Sequence, residues 1–503
     1  MGKSKKFLAI DFGASNGKAM LGKYDGTRLA LEELYRFENR PVYVMGNLYW
    51  DILRLYSELK VGLLKAVSRY GSISSIGIDT WGIDFGLLDK DKQLIQNPIH
   101  YRDGRTDSVS QEVFKIINEK TLYFRTGVQF LQLNTIFQLY SMVLSNSEAL
   151  NSASRFLMIG DLMNYFLTGD IIAEYTAATT TQLYNQNINK WDRHIIKSLK
   201  IPGHIFPEVV KPGIKINNIR KEIAIETGCG NIPVSLPAYD TSSEITSIPL
   251  AEEDQDKNWA YFCCGTWAMA GVISPDPIIE EKGMEYGFGN EGGVAGNYHF
   301  LKNIIGMWVI QQCRKKWSEN LKNELSWDSI VNQARDADDK NIFIDVDDET
   351  FEKEIFGMPA AIAAYCKKTS QEIPQTVGEF SRCAFQSLVL AFTLSIRQIE
   401  DITKKKIEII YMVGGGSKNK LLCQWISDAL GLPVVSGLAE TTATGNILLQ
   451  MIALGEAKGI GEAKKILLNS VKLKYYEPVD TLIWQDKYEE YQKILIREKG
   501  KSR

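Results

Sequence analysis

The 503-residue chain is short of the residues that build metal cages and disulfide frameworks. Its four histidines (His100, His194, His204, His299) are scattered, and its seven cysteines include one adjacent pair, Cys263-Cys264, but no CxxC spacing. That pattern argues against a zinc site and favours reduced thiols. Long hydrophobic runs are also missing. A membrane span needs roughly 20 apolar residues, and the greasiest stretch, Leu388 to Ile396, is broken by polar side chains and reads as a buried helix. At the N-terminus Lys3, Lys5 and Lys6 are followed only by Phe7 to Ile10 before Asp11, too short for a signal-peptide core, and Lys6 stands where a myristoylation motif needs Ser or Thr. Neither sign of charge dominates. Fifty-eight Lys and Arg against 61 Asp and Glu give a net charge of −3, which supplies no general attraction to nucleic acid or anionic lipid. A cytoplasmic protein with no nucleic-acid or membrane partner is expected.

What is present is the balance of a globular chain, 45% apolar and 24% charged. A single core stops growing near roughly 250–300 residues, so two domains are expected, 1–248 and 249–503. Phe7 to Asp11 reads as a buried strand entering the small-residue turn Gly13-Ala14-Ser15-Asn16-Gly17, with Lys18 to Lys23 as the return strand and Tyr24-Asp25-Gly26-Thr27 as a second turn. Asp51 is placed to cap a helix whose Ile52, Leu55, Leu59 and Leu63 follow helical spacing. Ile73 to Ile78 and Ile83 to Leu88 read as strands, and Thr106 to Asn118, Thr135 to Leu144 and Asp161 to Leu167 as helices. Ala251 to Lys257, AEEDQDK, reads as a solvated connector. Trp259 to Cys263, Gly265-Thr266 and Ala268 to Ile273 then repeat the opening strand–turn–strand pattern, which suggests duplication. Further on come a long helix from Glu379 to Ile402, a strand from Ile407 to Val413, the turn Gly414-Gly415-Gly416-Ser417, and another helix. The alternation makes the chain α/β.

Several motifs suit chemistry, although each alone also fits an ordinary turn or a buried strand pair. DFGASNGK, Asp11 to Lys18, lacks the spacing of a P-loop, but its turn can offer successive N–H groups to phosphate oxygens, with Lys18 adding charge and Asp11 placed to hold Mg²⁺ through water. Asp79-Thr80-Trp81-Gly82-Ile83-Asp84 sets two carboxylates and an aromatic face beside a glycine, a combination that suits a polyol. Asp240, in Tyr239-Asp240-Thr241 near the domain boundary, has the chemistry of a general base or of a helix cap. GFGNEG, Gly287 to Gly292, matches GxGxxG without the strand before it or the helix after it that a dinucleotide fold requires.

Taken in order, AIDFGASNGK, GIDTWGIDFGLLD with PIHYRDGRTD, EYTAATTTQLYN, YDTSSE, CGTW, LKNIIGMWVIQQC, and MVGGGSKNKLLCQWISDALGLPV with TGNI resemble the FGGY carbohydrate kinases, members of the actin-like ATPase fold. The resemblance runs from Phe7 to about Glu456 and is nearest to the branch that phosphorylates L-rhamnulose. It implies two duplicated domains with ribonuclease-H-like cores around a central cleft, the first for sugar and phosphate and the second for nucleotide. It also implies ATP and Mg²⁺, a small ketose phosphorylated on its 1-hydroxyl, and a monomer or homodimer. By position, Asp240 matches the general base. Gly82, Asp84, Tyr239, Thr241 and Asn303 fall with the sugar residues. Ala14, Ser15, Asn16, Gly17, Lys18, Thr266, Gln311, Gly415 and Gly416 fall with the nucleotide residues, and Asp11 with the metal-associated acid. Tyr239 departs from the family's His, Lys18 from its Arg, and Cys263-Cys264 from a Ser pair. These departures bear on substrate identity more than on reaction type. L-fuculose or another ketose is the near alternative, and a non-catalytic actin-like nucleotide-binding protein the remote one.

Overall fold

The computed structural model describes residues 4–321, 324–352 and 357–501. The chain divides into two compact units. Unit 1 takes its residues from Met1–Pro249, Ile273–Phe300 and Glu440–Val471, and unit 2 from Leu250–Val272, Leu301–Ala439 and Lys472–Arg503.

In unit 1, β1 (Lys5–Phe12) carries the apolar run Phe7 to Ile10, wholly buried as a central strand requires. β2 (Asn16–Tyr24) returns antiparallel and β3 (Leu29–Glu38) follows a turn in which Asp25 Oδ1 accepts from the N–H groups of Thr27 and Arg28, each at 2.8 Å. α1 (Ile52–Tyr70) begins at Asp51, whose side chain accepts from Arg54 N, and buries Ile52, Leu55, Leu59 and Leu63. β4 (Ser75–Thr80), α2 (Tyr175–Thr180), β5 (Ile214–Asn218), β6 (Pro233–Leu236) and α3 (Asp240–Thr246) complete the frame. The sheet order is β5-β6-β4-β1-β2-β3. β1 pairs antiparallel with β2, Asp11 opposite Lys18, and parallel with β4, Asp11 beside Asp79.

Unit 2 contains β7 (Trp259–Cys264), β8 (Trp267–Ser274), α4 (Val377–Thr403), β9 (Ile409–Val413), α5 (Lys420–Leu430), β10 (Val434–Ser436) and β11 (Lys474–Tyr476). These strands run β8-β7-β9-β10-β11 within the sheet. β7 repeats the position of β1, antiparallel to its hairpin partner β8 and parallel to β9. The echo between the two halves is therefore one of sheet topology as well as of sequence pattern. α4 packs on this sheet, with Phe392 stacked on Phe262 at a centroid distance of 4.2 Å. From Glu440 the chain is back in unit 1, where α6 (Thr441–Ala453) lies against β1, β4 and α3.

Two local expectations are corrected. Ala251 to Lys257 is not a fully solvated connector. Ala251 and Asp254 are buried; the Tyr411 hydroxyl donates to Asp254 Oδ2 at 2.5 Å and accepts from Ala251 N at 3.0 Å, and Lys257 pairs with Asp254 at 2.7 Å. The span Thr106 to Asn118 is not one helix but a 3₁₀ turn, Gly104–Thr106, and a helix, Val109–Ile116, separated where Ser108 adopts φ 63°. No helix among the described residues is long and apolar enough to cross a membrane.

The contact of α6 with α3 depends on a missing side chain. A β-carbon on Gly445 would lie 1.8 Å from the Ser243 carbonyl oxygen. Gly445→Ala is expected to force the two helices apart and cost ~1–3 kcal/mol, read as a lower thermal unfolding midpoint. An unchanged midpoint would refute the close packing.

Candidate active site

The phosphate-type turn of unit 1 is tied at both ends. Gly13 N donates to Asn16 O at 2.9 Å, Asn39 Nδ2 to Gly13 O at 2.9 Å, and Asn39 N to Ser15 O at 3.0 Å. The turn holds Ala14 and Ser15 between two fixed strands, and Asn16, Gly17 and Lys18 open β2. Lys18 Nζ bonds Glu440 Oε2 at 2.8 Å, at the start of α6. Burial pulls the Lys18 ammonium down, but Asp11 and Glu440 outweigh it and hold its pKa above the ordinary lysine value.

Around that single lysine the fold gathers acids. Burial raises the Asp11 carboxyl despite the attraction of Lys18. Asp79, beside it on β4, is pushed well above the carboxylate range by burial and then by Asp11. Its Oδ2 accepts from Asn446 of α6, whereas its buried Oδ1 has no donor. Asp240 opens α3, with Oδ1 accepting from Thr241 N at 2.6 Å and Thr241 Oγ1 at 3.3 Å. Burial, and then Asp11, raise it well above the usual range. Glu244, one turn on, accepts from Thr441 Oγ1 at 2.9 Å and is raised by burial to about 7. These shifts mark groups whose ionised form is short of compensating charge. Among the described residues no three His, Cys, Asp or Glu side chains form a metal cage. A donorless carboxylate oxygen next to Asp11 nevertheless suits a hard cation held by one or two carboxylates and completed by water and phosphate, as Mg²⁺ is.

The sugar-type residues of unit 1 meet at Gly82. A β-carbon there would stand 3.3 Å from Thr180 Oγ1 and 3.4 Å from the Tyr239 ring. Tyr239 N donates to Thr176 Oγ1 at 3.1 Å, and its hydroxyl donates to Glu291. The neighbouring acid behaves otherwise than the motif suggests. Asp84 is wholly buried. Its Oδ2 accepts from Trp50 Nε1 at 2.6 Å, Trp81 Nε1 at 3.0 Å and Tyr101 N at 3.3 Å, and its Oδ1 from Gln138 Nε2 at 2.9 Å. With both oxygens engaged by internal donors, Asp84 braces the site wall instead of offering itself to a sugar hydroxyl. Trp81 is buried against Trp50 at a centroid distance of 4.1 Å, as in the buried strand pair that the motif also fits.

The remaining residues belong to unit 2. Thr266 lies in the β7–β8 turn, where Gly265 N donates to Trp267 O at 2.9 Å. Met307 N donates to Gly265 O at 2.9 Å and Trp308 N to Thr266 O at 3.2 Å, fixing the turn to the start of the helix Trp308–Leu321 that carries Gln311. Asn303 precedes that junction on the strand Tyr298–Ile305. Gly414, at φ 81°, turns the chain out of β9, and a β-carbon on Gly416 would stand 2.5 Å from Cys264 Sγ at the end of β7. Thr266, Gln311, Gly415 and Gly416 are thus gathered at the ends of β7 and β9. The motifs did not single out Glu244, Glu291, Glu440, Thr176 or Asn446, because nothing local marks residues that act only once distant segments meet.

Comparison with known proteins gives the family and the fold. The N-terminal domain model of the FGGY family of carbohydrate kinases matches residues 6–246, and the C-terminal domain model matches residues 260–454. A rhamnulokinase of Oceanobacillus iheyensis is 39% identical over 473 residues, covering 94% of this chain and 98% of the relative. One from Bacteroides thetaiotaomicron is 36% identical over 485 residues, covering 96% and 98%. Among solved structures, a xylulose kinase from Lactobacillus acidophilus superposes with TM-score 0.81 at 16% identity, covering 97% of both chains. A glycerol kinase from Plasmodium falciparum with ADP gives 0.76 at 15%, covering 98% of both. These likenesses show the fold, that of the actin-like ATPases.

The crowding of Asp79 has a pH signature. Its folded pKa lies above its unfolded value of about 3.9, so its contribution to stability is complete below that value and is lost as pH rises through the folded pKa. Asp79→Asn, which cannot ionise, is expected to raise the unfolding midpoint of the ligand-free protein at pH 8 and to give little gain near pH 4. A gain of equal size at both pH values would contradict the assignment.

Proposed function

Because the chain belongs to the FGGY family of carbohydrate kinases, we propose that it transfers the γ-phosphoryl group of ATP to the 1-hydroxyl of L-rhamnulose, as a rhamnulokinase. The full-length similarity to rhamnulokinases supports the substrate. The observation that carries the mechanism is Asp240, a half-buried acid at the head of α3 whose pKa is raised well above the ordinary carboxylate range, by loss of solvent and then by Asp11.

Phosphoryl transfer asks for positioning and charge compensation more than for covalent help. Asp240 orients the sugar hydroxyl and accepts its proton as the new O–P bond forms and the bond to ADP breaks. A raised pKa makes it a better proton acceptor than an ordinary aspartate once it is ionised. Lys18, pinned by Glu440, brings positive charge to the turn Ala14 to Gly17, where backbone N–H groups can meet phosphate oxygens. Thr266, Gln311, Gly415 and Gly416 bind the nucleotide, and Gly82, Tyr239, Thr241 and Asn303 bind the ketose. Asp11 and Asp79 would hold Mg²⁺, in part through water, which supplies charge neutralisation on the phosphates. We place the reaction in the cytoplasm, supported by seven cysteines outside any disulfide, six of them buried, and by the lack of a membrane-crossing helix among the described residues. A monomer or homodimer is expected, which light scattering in solution tests.

Asp240→Asn is expected to lower kcat by about 10²–10⁴-fold while ATP binding, read by calorimetry, is kept. Unchanged turnover would remove Asp240 from the mechanism and favour another base. Across L-rhamnulose, L-fuculose, L-ribulose, D-xylulose and glycerol with Mg-ATP, the highest kcat/KM is expected for L-rhamnulose. Comparable slow turnover on all five would overturn the substrate assignment.

A further inference from the structure

We propose that Glu291 is a positioning residue of the ketose site, and that the Tyr239–Glu291 pair decides which pattern of sugar hydroxyls is accepted. The proposal rests on the kinase reading above and deepens it. Glu291 lies on the short strand Gly289–Gly292, inside the GFGNEG segment that failed as a dinucleotide motif. Both of its chain neighbours are clamped. Asn290 N donates to Gly127 O at 2.7 Å and Gln186 Nε2 to Asn290 O at 2.6 Å, while Gly292 N donates to Thr179 Oγ1 of α2 at 2.8 Å. The carboxylate is thereby delivered to a fixed point, where it accepts the Tyr239 hydroxyl.

Tyr239 is restrained at its other end as well. Its N–H is held by Thr176 Oγ1, and Thr176 is in turn held by Glu174, which accepts from Thr176 N at 2.8 Å and Thr176 Oγ1 at 2.5 Å. Between these two anchors the ring is laid against the open face of Gly82, next in sequence to the general base.

The consequence for recognition follows from donor counting. A phenol has one O–H, and Glu291 takes it. With Glu291 ionised, what Tyr239 can then show a sugar is its oxygen lone pairs, so the pair accepts a hydroxyl proton and donates none. A ketose whose hydroxyl points its proton at this place is bound. An epimer that points the same hydroxyl elsewhere leaves a buried acceptor unmet, and a loss of that kind is how polar sites discriminate. Burial raises the Glu291 carboxyl to about 7, with Tyr239 opposing the shift. The other titratable groups facing the pair are Asp240 and, from α2 packed on the strand, Tyr175.

The test measures KM for sugar and for ATP separately, in the full-length wild type, Glu291→Gln, Tyr239→Phe and the double variant, with thermal melts as a folding control. Glu291→Gln and Tyr239→Phe are each expected to raise the L-rhamnulose KM by about tenfold or more and to shrink the kcat/KM preference for L-rhamnulose over L-fuculose. KM for ATP should stay within about twofold of wild type, and the double variant should be little worse than either single one, as coupled partners are. Sugar KM and preference left unchanged, KM for ATP raised in step, or fully additive losses would overturn the inference. Should Glu291→Gln fail to fold, Tyr239→Phe alone decides by the same criteria. A wild type inactive on every ketose would instead overturn the functional reading on which the inference rests.

Discussion

Unit 1 is organised by a shortage of positive charge among buried and half-buried acids. Asp11, Asp79, Asp240 and Glu244 sit at the ends of β1, β4 and α3 with one lysine, Lys18, among them, and every one of these carboxyls is raised by burial. A fold does not gather such groups for stability, since each costs free energy when ionised without compensation. The cost is understandable if the missing charge arrives with the substrate. On the proposed reading, a metal-bound nucleotide would bring cations to the acids and accept from the N–H groups of the turn, and a sugar hydroxyl would give its proton to Asp240.

The rest of unit 1 serves to hold that arrangement still. β1 and β4 are wholly or mostly buried parallel neighbours, so Asp11 and Asp79 end side by side in fixed register. α6 presses against α3 through Gly445, and its first two turns bring Glu440 to Lys18, Thr441 to Glu244 and Asn446 to Asp79. Asp84 shows the same logic in its pure form. It lies in a motif that looks like a sugar ligand, yet its oxygens serve two indoles, a backbone N–H and an amide. Unit 2 repeats the hairpin-and-parallel-strand core with other contents: a glycine turn laid against Cys264 and a threonine turn stapled to a helix start.

Much of this was legible in the chain. Asp51 announced α1 because a capping acid followed by helically spaced apolar residues has few other uses, and the strand–turn–strand echo at Phe7 and Trp259 proved to be the shared core of two sheets. The boundary of Thr106 to Asn118 was not legible, because a left-handed serine is no stronger in sequence than a serine within a helix. The charged run after Pro249 misled because charge density signals solvent only on average, and one tyrosine, Tyr411, is enough to bury Asp254.

The sequence by itself determined the reaction class through the ordered segments that resemble the FGGY carbohydrate kinases, since such local patterns survive without coordinates. Tertiary structure alone decided which acids stand together and which, like Asp84, are taken up by internal donors. It placed Ile273–Phe300 and Glu440–Val471 in unit 1, and so put Glu291 on Tyr239 and Glu440 on Lys18. The physical reason is that a hydrogen bond or a pKa shift depends on distance in space, and residues more than fifty positions apart in the chain carry no sign of which partner they will meet.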